Sequence, residues 1–283
     1  MIRTIGQKLW VYDLEWAPDP RAGRRVYGLG DDVADLDVIG EMWRRGGATE
    51  ENPTPFLKMI LCRVLSIAVV QRTVREGTVN LNLLWLPRDE KDPAQAAEAS
   101  ILGTFLDAIG KHKPQLVGYN SSGSDLRILI QRGVVNGLRA HEFCAKPNHG
   151  SPGDYFHRYS DSHIDLLELL AGWGGGGRSP SLHEITVLSG IPGKFESEGE
   201  QVAHLWLSGR HRQIVEYNCF DALSTYLLWL RMAHFSGLLT PEQYEEEQGQ
   251  LKDLLFELAE RPETAFLERY LDEWERLQGP ENR

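Results

Sequence analysis

The sequence is poor in cysteine and has no long hydrophobic run. Its three cysteines, Cys62, Cys144 and Cys219, are widely spaced and odd in number. This pattern argues against a disulfide framework or a zinc site, and it favours a reducing, cytoplasmic compartment. No stretch reaches the roughly 18 apolar residues of a membrane span, so no membrane association is expected. The first residues also lack the apolar core of a signal peptide, so none is expected.

Positive charge is scarce as well. Lys and Arg total 30 against 41 Asp and Glu, which gives a formal net charge of −11. A protein that coats nucleic acid needs many basic side chains, so this balance argues against that class. An enzyme that holds only a few nucleotides is less affected, because its carboxylates can bind divalent cations that supply local positive charge.

The pattern of apolar residues indicates an α/β protein. The length of 283 residues and the eight Trp residues suffice for a substantial core. The order strand, strand, strand, helix, strand, helix is typical of an α/β fold. Strands are predicted at 9–14, 61–71, 78–86 and 115–119, and helices at 94–112, 125–137, 181–189, 200–208 and 210–235. Residues 163–166 are predicted to enter a further helix that runs through Leu170. Residues 17–56 are interpreted as an irregular excursion with one short helix near 35–45.

A Glu-rich helical tail is predicted after the main domain. Residues 1–238 are assigned to the main domain and residues 239–283 to a helical C-terminal extension. Apolar residues recur at threes and fours along 241–278, which is typical of a helix that packs on a domain. A partner helix or a dimer is the alternative.

The first acidic motif is Asp13-Leu14-Glu15, at the end of an apolar strand. Residues two apart in a strand face the same side, so both carboxylates can point at one cation. Hard divalent cations prefer oxygen ligands of this kind. A solvated strand terminus is the alternative interpretation.

Two further acids follow at separate places in the chain. Asp125 comes shortly after the strand that ends in Tyr119 and Asn120, and an acid in the first turn of a helix is also favoured simply by the helix dipole. Tyr217 and Asp221 are four residues apart on a predicted helix, so their side chains share one face. The alternatives are a core aromatic and a solvated helix acid. Carboxylates from several elements are what a two-metal phosphoryl-transfer site requires.

The order Asp-x-Glu, then Asn-(four residues)-Asp, then Tyr-x-x-x-Asp resembles the DEDD 3′–5′ exonucleases, and Tyr217 places the likeness in their tyrosine branch. The chain is most similar to stand-alone exonucleases related to the proofreading domain of family-B DNA polymerases. The likeness covers about residues 9–235 and rests on the segments VYDLEW, LVGYN, HIDLLELL, SLHEITVLSGIPGK and IVEYNCFDALSTYLLWLR.

That resemblance implies an RNase H-like fold, which is a central mixed sheet flanked by helices, and it implies 3′–5′ exonuclease activity. It implies that Asp13, Glu15, Asp125 and Asp221 bind two Mg²⁺ or Mn²⁺ ions. It further implies that Glu15 contacts the terminal 3′ hydroxyl and that Tyr217 orients the attacking water. Asn120 would contact the substrate or brace the second motif. Ser124 stands where the family usually has Phe, which leaves the grip on a terminal base open.

Two groups of residues are candidates for substrate contact. Arg24 and Arg25 lie in the excursion that follows the first motif and could hold phosphate, although surface arginines often only aid solubility. Tyr155 and Phe156 lie in a polar loop and could stack on a base, or could anchor that loop by packing.

Three functions are consistent with the sequence. The first is a 3′–5′ exonuclease acting on nucleic acid with a free 3′ end, with single-stranded DNA as the leading substrate. The second is an exoribonuclease or an oligonucleotide-trimming enzyme on the same scaffold. The third is a non-catalytic module that binds nucleic acid or a protein partner. The four acids argue against the third, because burying unpaired carboxylates is costly unless they bind cations.

Overall fold

The computed structural model describes residues 1–145, 153–157, 160–172, 179–193, 195 and 199–279. Within these ranges, five strands form one mixed sheet in the order β3-β2-β1-β4-β5. The pairs β1–β2 and β2–β3 are antiparallel, whereas β1–β4 and β4–β5 are parallel. The strands are β1 Lys8–Pro18, β2 Cys62–Arg75, β3 Thr78–Leu86, β4 Gln115–Gly118 and β5 His163–Asp165.

Helices cover both faces of the sheet. The predicted fold class, an RNase H-like mixed sheet flanked by helices with a helical C-terminal tail, is confirmed. The described helices are α1 Pro20–Tyr27, α2 Asp35–Arg45, α3 Glu98–His112, α4 Asp125–Val135, α5 His141–Cys144, α6 Leu166–Leu170, α7 Leu182–Leu188, α8 Gly199–Leu207, α9 His211–Phe235, α10 Pro241–Ala259 and α11 Leu267–Gln278, with a 3₁₀ turn at Met59–Leu61. Nowhere in the described ranges is a helix both long and apolar enough to cross a bilayer.

The alternation of β1 explains where its carboxylates point. Leu9 and Val11 belong to the core on the α9 side of the sheet. Trp10, Tyr12 and Leu14 belong to the core that includes α3 and α4 residues. Because side chains alternate along a strand, Asp13 and Glu15 continue the row of Leu9 and Val11 and face α9.

The C-terminal helices share the core of the sheet. Residues of α10 and α11, including Leu251, Tyr270 and Trp274, are buried in the same cluster as β1 and α9. Arg72 of β2 donates two hydrogen bonds to Glu247 of α10, at 2.6 and 2.9 Å. The predicted boundary after residue 238 therefore crosses a shared core, and the division into two domains stays a prediction.

Residues 17–56 contain one helix more than the sequence predicted. The helix near 35–45 is α2, as expected, but α1 precedes it. The Asp19 side chain caps α1 by accepting a hydrogen bond from the Arg21 amide. A Cβ at Gly23 would lie 2.6 Å from the Met42 sulfur, so glycine permits close packing of α1 on α2. Because this contact uses a glycine, α1 lacks the stripe of large apolar residues from which a helix is predicted.

Candidate active site

Three carboxylates meet where β1 faces α9. Asp13 and Glu15 come from β1 and Asp221 from α9, and one oxygen of each lies within 4.8 Å of the others. All three side chains are half-buried. An arrangement of three carboxylate oxygens around one point suits a hard divalent cation such as Mg²⁺ or Mn²⁺. The residues present therefore fit a bound metal ion.

Asp13 is oriented by a side chain that the sequence did not single out. Asn218 of α9 is fully buried, and its Nδ2 donates a hydrogen bond to Asp13 Oδ2 at 2.7 Å. Ser66 Oγ in turn donates to Asn218 Oδ1 at 2.9 Å. A carboxylate that is fixed in this way keeps one oxygen pointed at the ligand site, as supporting hydrogen bonds do in metal sites generally.

Asp125 lines the same cavity as the three carboxylates and begins α4. Its Oδ1 accepts a hydrogen bond from the Leu14 amide at 3.1 Å, and its Oδ2 accepts one from Ser124 Oγ at 2.6 Å. Burial raises the pKa of this carboxyl to about 6, although these hydrogen bonds oppose the rise. Asp125 thus ties β1 to α4 at the site. Its predicted role as a metal ligand stays a prediction.

Asp165 holds the loop that carries Asn120, and the sequence analysis did not assign it a role. Asp165 Oδ1 accepts a hydrogen bond from the Asn120 amide at 2.9 Å, and Oδ2 accepts one from the Ser122 amide at 2.9 Å. Asp165 also caps α6. Asn120 has a φ of +57°, and it lies on the cavity that the carboxylates face. An acid directly before the apolar segment LLELL was the available signal, because Asp is a favoured helix cap.

His163 holds the other side of this loop and is half-buried. Its Nε2 lies 2.9 Å from Ser121 Oγ and 3.4 Å from the Tyr12 hydroxyl. Burial lowers the pKa of His163 from 6.5 to about 4, and the Asp165 charge only partly offsets this. The folded protein therefore holds the imidazole neutral at pH values where the unfolded chain protonates it.

We expect His163 to make the fold sensitive to acid. Between pH 6.5 and 4 the unfolded chain binds the proton and the folded chain does not, so stability falls as pH falls. A pKa shift of this size corresponds to a loss of about 3 kcal/mol in the free energy of unfolding at the acid end of this pH range. His163→Gln keeps a polar side chain but cannot titrate. Urea unfolding across this pH range should therefore show that acid lowers the free energy of unfolding less in the variant than in the wild type. An equal loss in the two proteins would contradict the assignment.

A cavity of about 890 Å³ opens over the carboxylates. Its lining includes Trp43 and Phe56 from the excursion, and Leu57 and Met59 directly after it. It also includes Leu182 of α7 and Val202 of α8. Among its described lining residues are four acids and no Lys or Arg. The cavity is therefore acidic at its base and largely apolar on its walls.

Tyr217 is placed beside this cavity but is not among its described lining residues. It is half-buried and packs against Ala17, Val202 and Ile214. In the described part of the chain its hydroxyl has no hydrogen-bond partner. The structure thus brings Tyr217 near Asp221 on one helix, and its catalytic role stays a prediction.

Glu15 and Asn120 line the cavity, whereas the other four predicted substrate contacts, Arg24, Arg25, Tyr155 and Phe156, are not among its described lining residues. Arg24 pairs with Asp35 at 2.8 Å, and neither Arg24 nor Arg25 lines the cavity. Tyr155 is buried and its hydroxyl donates to the Pro114 carbonyl at 2.8 Å. Phe156 is half exposed and lines a separate recess on the other side of the Asn120 loop. These placements give no support to phosphate binding by the two arginines or to base stacking by Tyr155.

Comparison with known proteins gives one match to a family. A family described as "Predicted 3′-5′ exonuclease related to the exonuclease domain of PolB" matches residues 54–274, which include Asp125 and Asp221 but not β1. No curated protein matches the sequence. Among solved structures that are similar is the family B DNA polymerase from the hyperthermophilic archaeon Pyrobaculum calidifontis, at 13% identity and a TM-score of 0.48. The likeness covers 80% of this chain and 24% of that polymerase, so this chain spans about a quarter of its length.

Proposed function

We propose, on the premise that this chain belongs to the family of predicted 3′–5′ exonucleases related to the exonuclease domain of PolB, that it hydrolyses the last phosphodiester bond at the 3′ end of nucleic acid. Single-stranded DNA is the substrate that we propose first. The observation that carries the proposal is the convergence of Asp13, Glu15 and Asp221 at the base of an open cavity.

The residues fit a division of roles around two divalent ions. Asp13, Glu15 and Asp221 would hold one ion, and Asp125 would contribute to a second. When bound, Mg²⁺ or Mn²⁺ ions lower the pKa of a water and offset the charge on the attacking and leaving oxygens. The protein's own part is to hold the carboxylates in register, which the Asn218 amide does for Asp13.

Other side chains would position the substrate. Glu15 would accept a hydrogen bond from the terminal 3′ hydroxyl, and Asn120 would contact the nucleotide from the loop that Asp165 braces. Tyr217 would orient the water that attacks the phosphorus. An in-line attack needs these groups on both sides of the scissile phosphate, and placing them correctly is a major part of catalysis.

Activity on RNA or on short oligonucleotides is the second candidate, because the three clustered carboxylates would hold metal ions for either kind of strand. End-labelled single-stranded DNA, single-stranded RNA and duplex DNA, each incubated with Mg²⁺, separate these substrates and report the direction of cleavage. A non-catalytic binding module would bind these ligands without cleaving any of them.

The three cysteines are free within the described chain, which supports the proposed cytoplasmic location.

A blocked 3′ end should resist degradation. We expect a substrate with a 3′ phosphate to react far more slowly than the same strand with a 3′ hydroxyl. The added dianion would meet the Glu15 carboxylate, and like charges at close range repel. The measurement is the stepwise shortening of 5′-labelled strands that differ only at the 3′ terminus. Equal rates on both strands would indicate an endonuclease instead.

Removing the hydroxyl of Tyr217 tests its assigned role. Tyr217→Phe keeps the packing against Ala17 and Val202, so the fold should be unchanged. If the hydroxyl orients the water, kcat should fall about 10²-fold, as is usual for one positioned catalytic group, with little change in KM. Steady-state kinetics together with urea unfolding make the comparison. Wild-type turnover in a stable variant would leave the carboxylates in place but exclude the tyrosine.

A further inference from the structure

A second recess lies beside the first residues of α9 and is separate from the cavity over the carboxylates. Its volume is about 260 Å³, and its described lining shares no residue with the larger cavity. Helix α8 borders both, since Val202 and Ala203 line the larger cavity and Trp206 lines the recess. The other lining residues are Arg63, Leu65, Pro87, Glu90, Pro93, Ala96, Ala97, His211, Ile214 and Val215. No step of the hydrolysis proposed above uses this recess, which is called the Arg63 recess here.

Arg63 gives the recess an unpaired positive charge. It is the second residue of β2, and its half-buried guanidinium lies over the Trp206 ring, 5.1 Å from the ring centre. Its Nε atom is buried without a hydrogen-bond partner among the described residues, and no described carboxylate forms an ion pair with Arg63. Contact with the Trp206 ring holds the guanidinium in place but does not neutralise its charge. Because a buried charge without a counterion is costly, an anion that reaches Arg63 gains a strong partner.

The other charged and polar groups of the recess leave that charge available. Glu90 is the single acid in the described lining, and Arg212 lies 3.9 Å from it and partly offsets its charge. His211 Nε2 lies 3.2 Å from the Trp206 carbonyl oxygen, and this contact orients the imidazole. His211 is also the first residue of α9, and the start of a 25-residue helix carries partial positive charge. The electrostatics of the recess therefore favour an anion.

We propose that the Arg63 recess binds a small phosphate monoester, with the phosphate group on the guanidinium. A guanidinium presents a planar set of N–H donors that matches the oxygens of a phosphate. The volume of the recess is below the roughly 300–1,000 Å³ of sites for drug-sized ligands, so a small ligand fits and a strand of nucleic acid does not. Apolar side chains, including Ile214 and Val215, would contact the rest of the ligand. The carboxylates take no part, so the recess would bind its ligand even if the proposed exonuclease function were wrong.

Binding is tested with the full chain in EDTA, so that no divalent ion can hold phosphate at the carboxylates. The probes are dAMP and inorganic phosphate, each titrated by isothermal calorimetry. Wild type should bind both saturably at one site. Arg63→Gln should weaken both affinities by about tenfold or more, the loss expected when a charged hydrogen-bonding partner is removed. Arg75→Gln is the matched control, because Arg75 is exposed at the other end of the same strand, and it should bind like wild type.

A second variant covers the case in which Arg63→Gln disturbs the packing on Trp206. Ala96→Leu keeps Arg63 and enlarges a side chain of the lining, so a folded variant should also bind more weakly. Urea unfolding establishes which variants are folded. Loss of affinity in a folded Arg63→Gln or a folded Ala96→Leu supports the site. Equal affinities in wild type and both variants, or no saturable binding by wild type, would overturn it. Succinate is the third probe, and if this dicarboxylate bound as tightly as dAMP, the recess would recognise negative charge alone and the assignment to phosphate would be wrong.

Discussion

Replacing Asp221 by Asn is expected to reduce hydrolysis about 10³-fold, because a bound metal ion contributes several kcal/mol of transition-state stabilisation. Asp221 is one of the three acids whose oxygens lie within 4.8 Å of one another, so its loss leaves two carboxylates for the ion. The amide has nearly the same volume as the carboxylate, so the packing of α9 should be retained. Initial rates on labelled single-stranded DNA across a Mg²⁺ series give the result.

The control for this experiment is Asp253→Asn, which removes the same charge from an exposed position of α10. It should hydrolyse the substrate like wild type. Isothermal titration with Mn²⁺ reports metal binding without requiring turnover, and affinity should weaken in Asp221→Asn alone. Full activity with unchanged Mn²⁺ affinity in Asp221→Asn would exclude this residue from the metal site. Asp13→Ala should also abolish hydrolysis, because it removes the carboxylate that Asn218 orients.

Replacing Arg72 by Met is expected to lower the free energy of unfolding by about 3–5 kcal/mol, the usual cost of breaking a buried ion pair from one side. Arg72 is 4% exposed, and its two hydrogen bonds to Glu247 join the sheet to α10. The Tyr226 hydroxyl also donates to Glu247. Without the guanidinium, the Glu247 carboxylate is left in the core without its cation. Urea denaturation at neutral pH measures the loss.

An exposed ion pair provides the comparison for Arg72. Arg276 pairs with Glu273 at 2.7 Å on the surface of α11, and Arg276→Met should change stability by less than about 1 kcal/mol. The double variant Arg72→Met with Glu247→Met should recover part of the loss, since a buried pair can often be replaced by apolar side chains. Similar losses for the buried and the exposed substitution would show that burial does not govern the pair at Arg72.

The sequence predicted the strands and helices whose apolar residues recur with a regular period. It also predicted the acids that lie on those elements. The strand that bears Asp13 and Glu15, and the long helix that bears Asp221, both follow from apolar spacing that a single pass can recognise. Facing carboxylates also follow, because the period of a strand puts residues 13 and 15 on one side. The order of strands in the sheet was not predicted, since spacing alone does not specify which strands are neighbours.

What the sequence did not reveal depends on contacts between distant residues. Asn218 reaches Asp13 across 205 positions of sequence, and no local pattern distinguishes it from an ordinary helix residue. Arg24 pairs with Asp35 within the excursion, and the phosphate contact predicted for Arg24 and Arg25 stays a prediction. Phe56 lies in a segment without periodicity, where an exposed ring and a buried one have the same local sequence.

The separation of the carboxylates along the chain also affects how the protein acquires activity during synthesis. Asp13 lies on the first strand and Asp221 on α9, so the site exists only after late residues have packed against early ones. Contacts between such distant residues form slowly in folding. If the proposed function is correct, a chain in which α9 has not packed on β1 would be inert. Such coupling would protect a cell from nuclease activity in incomplete copies of the chain.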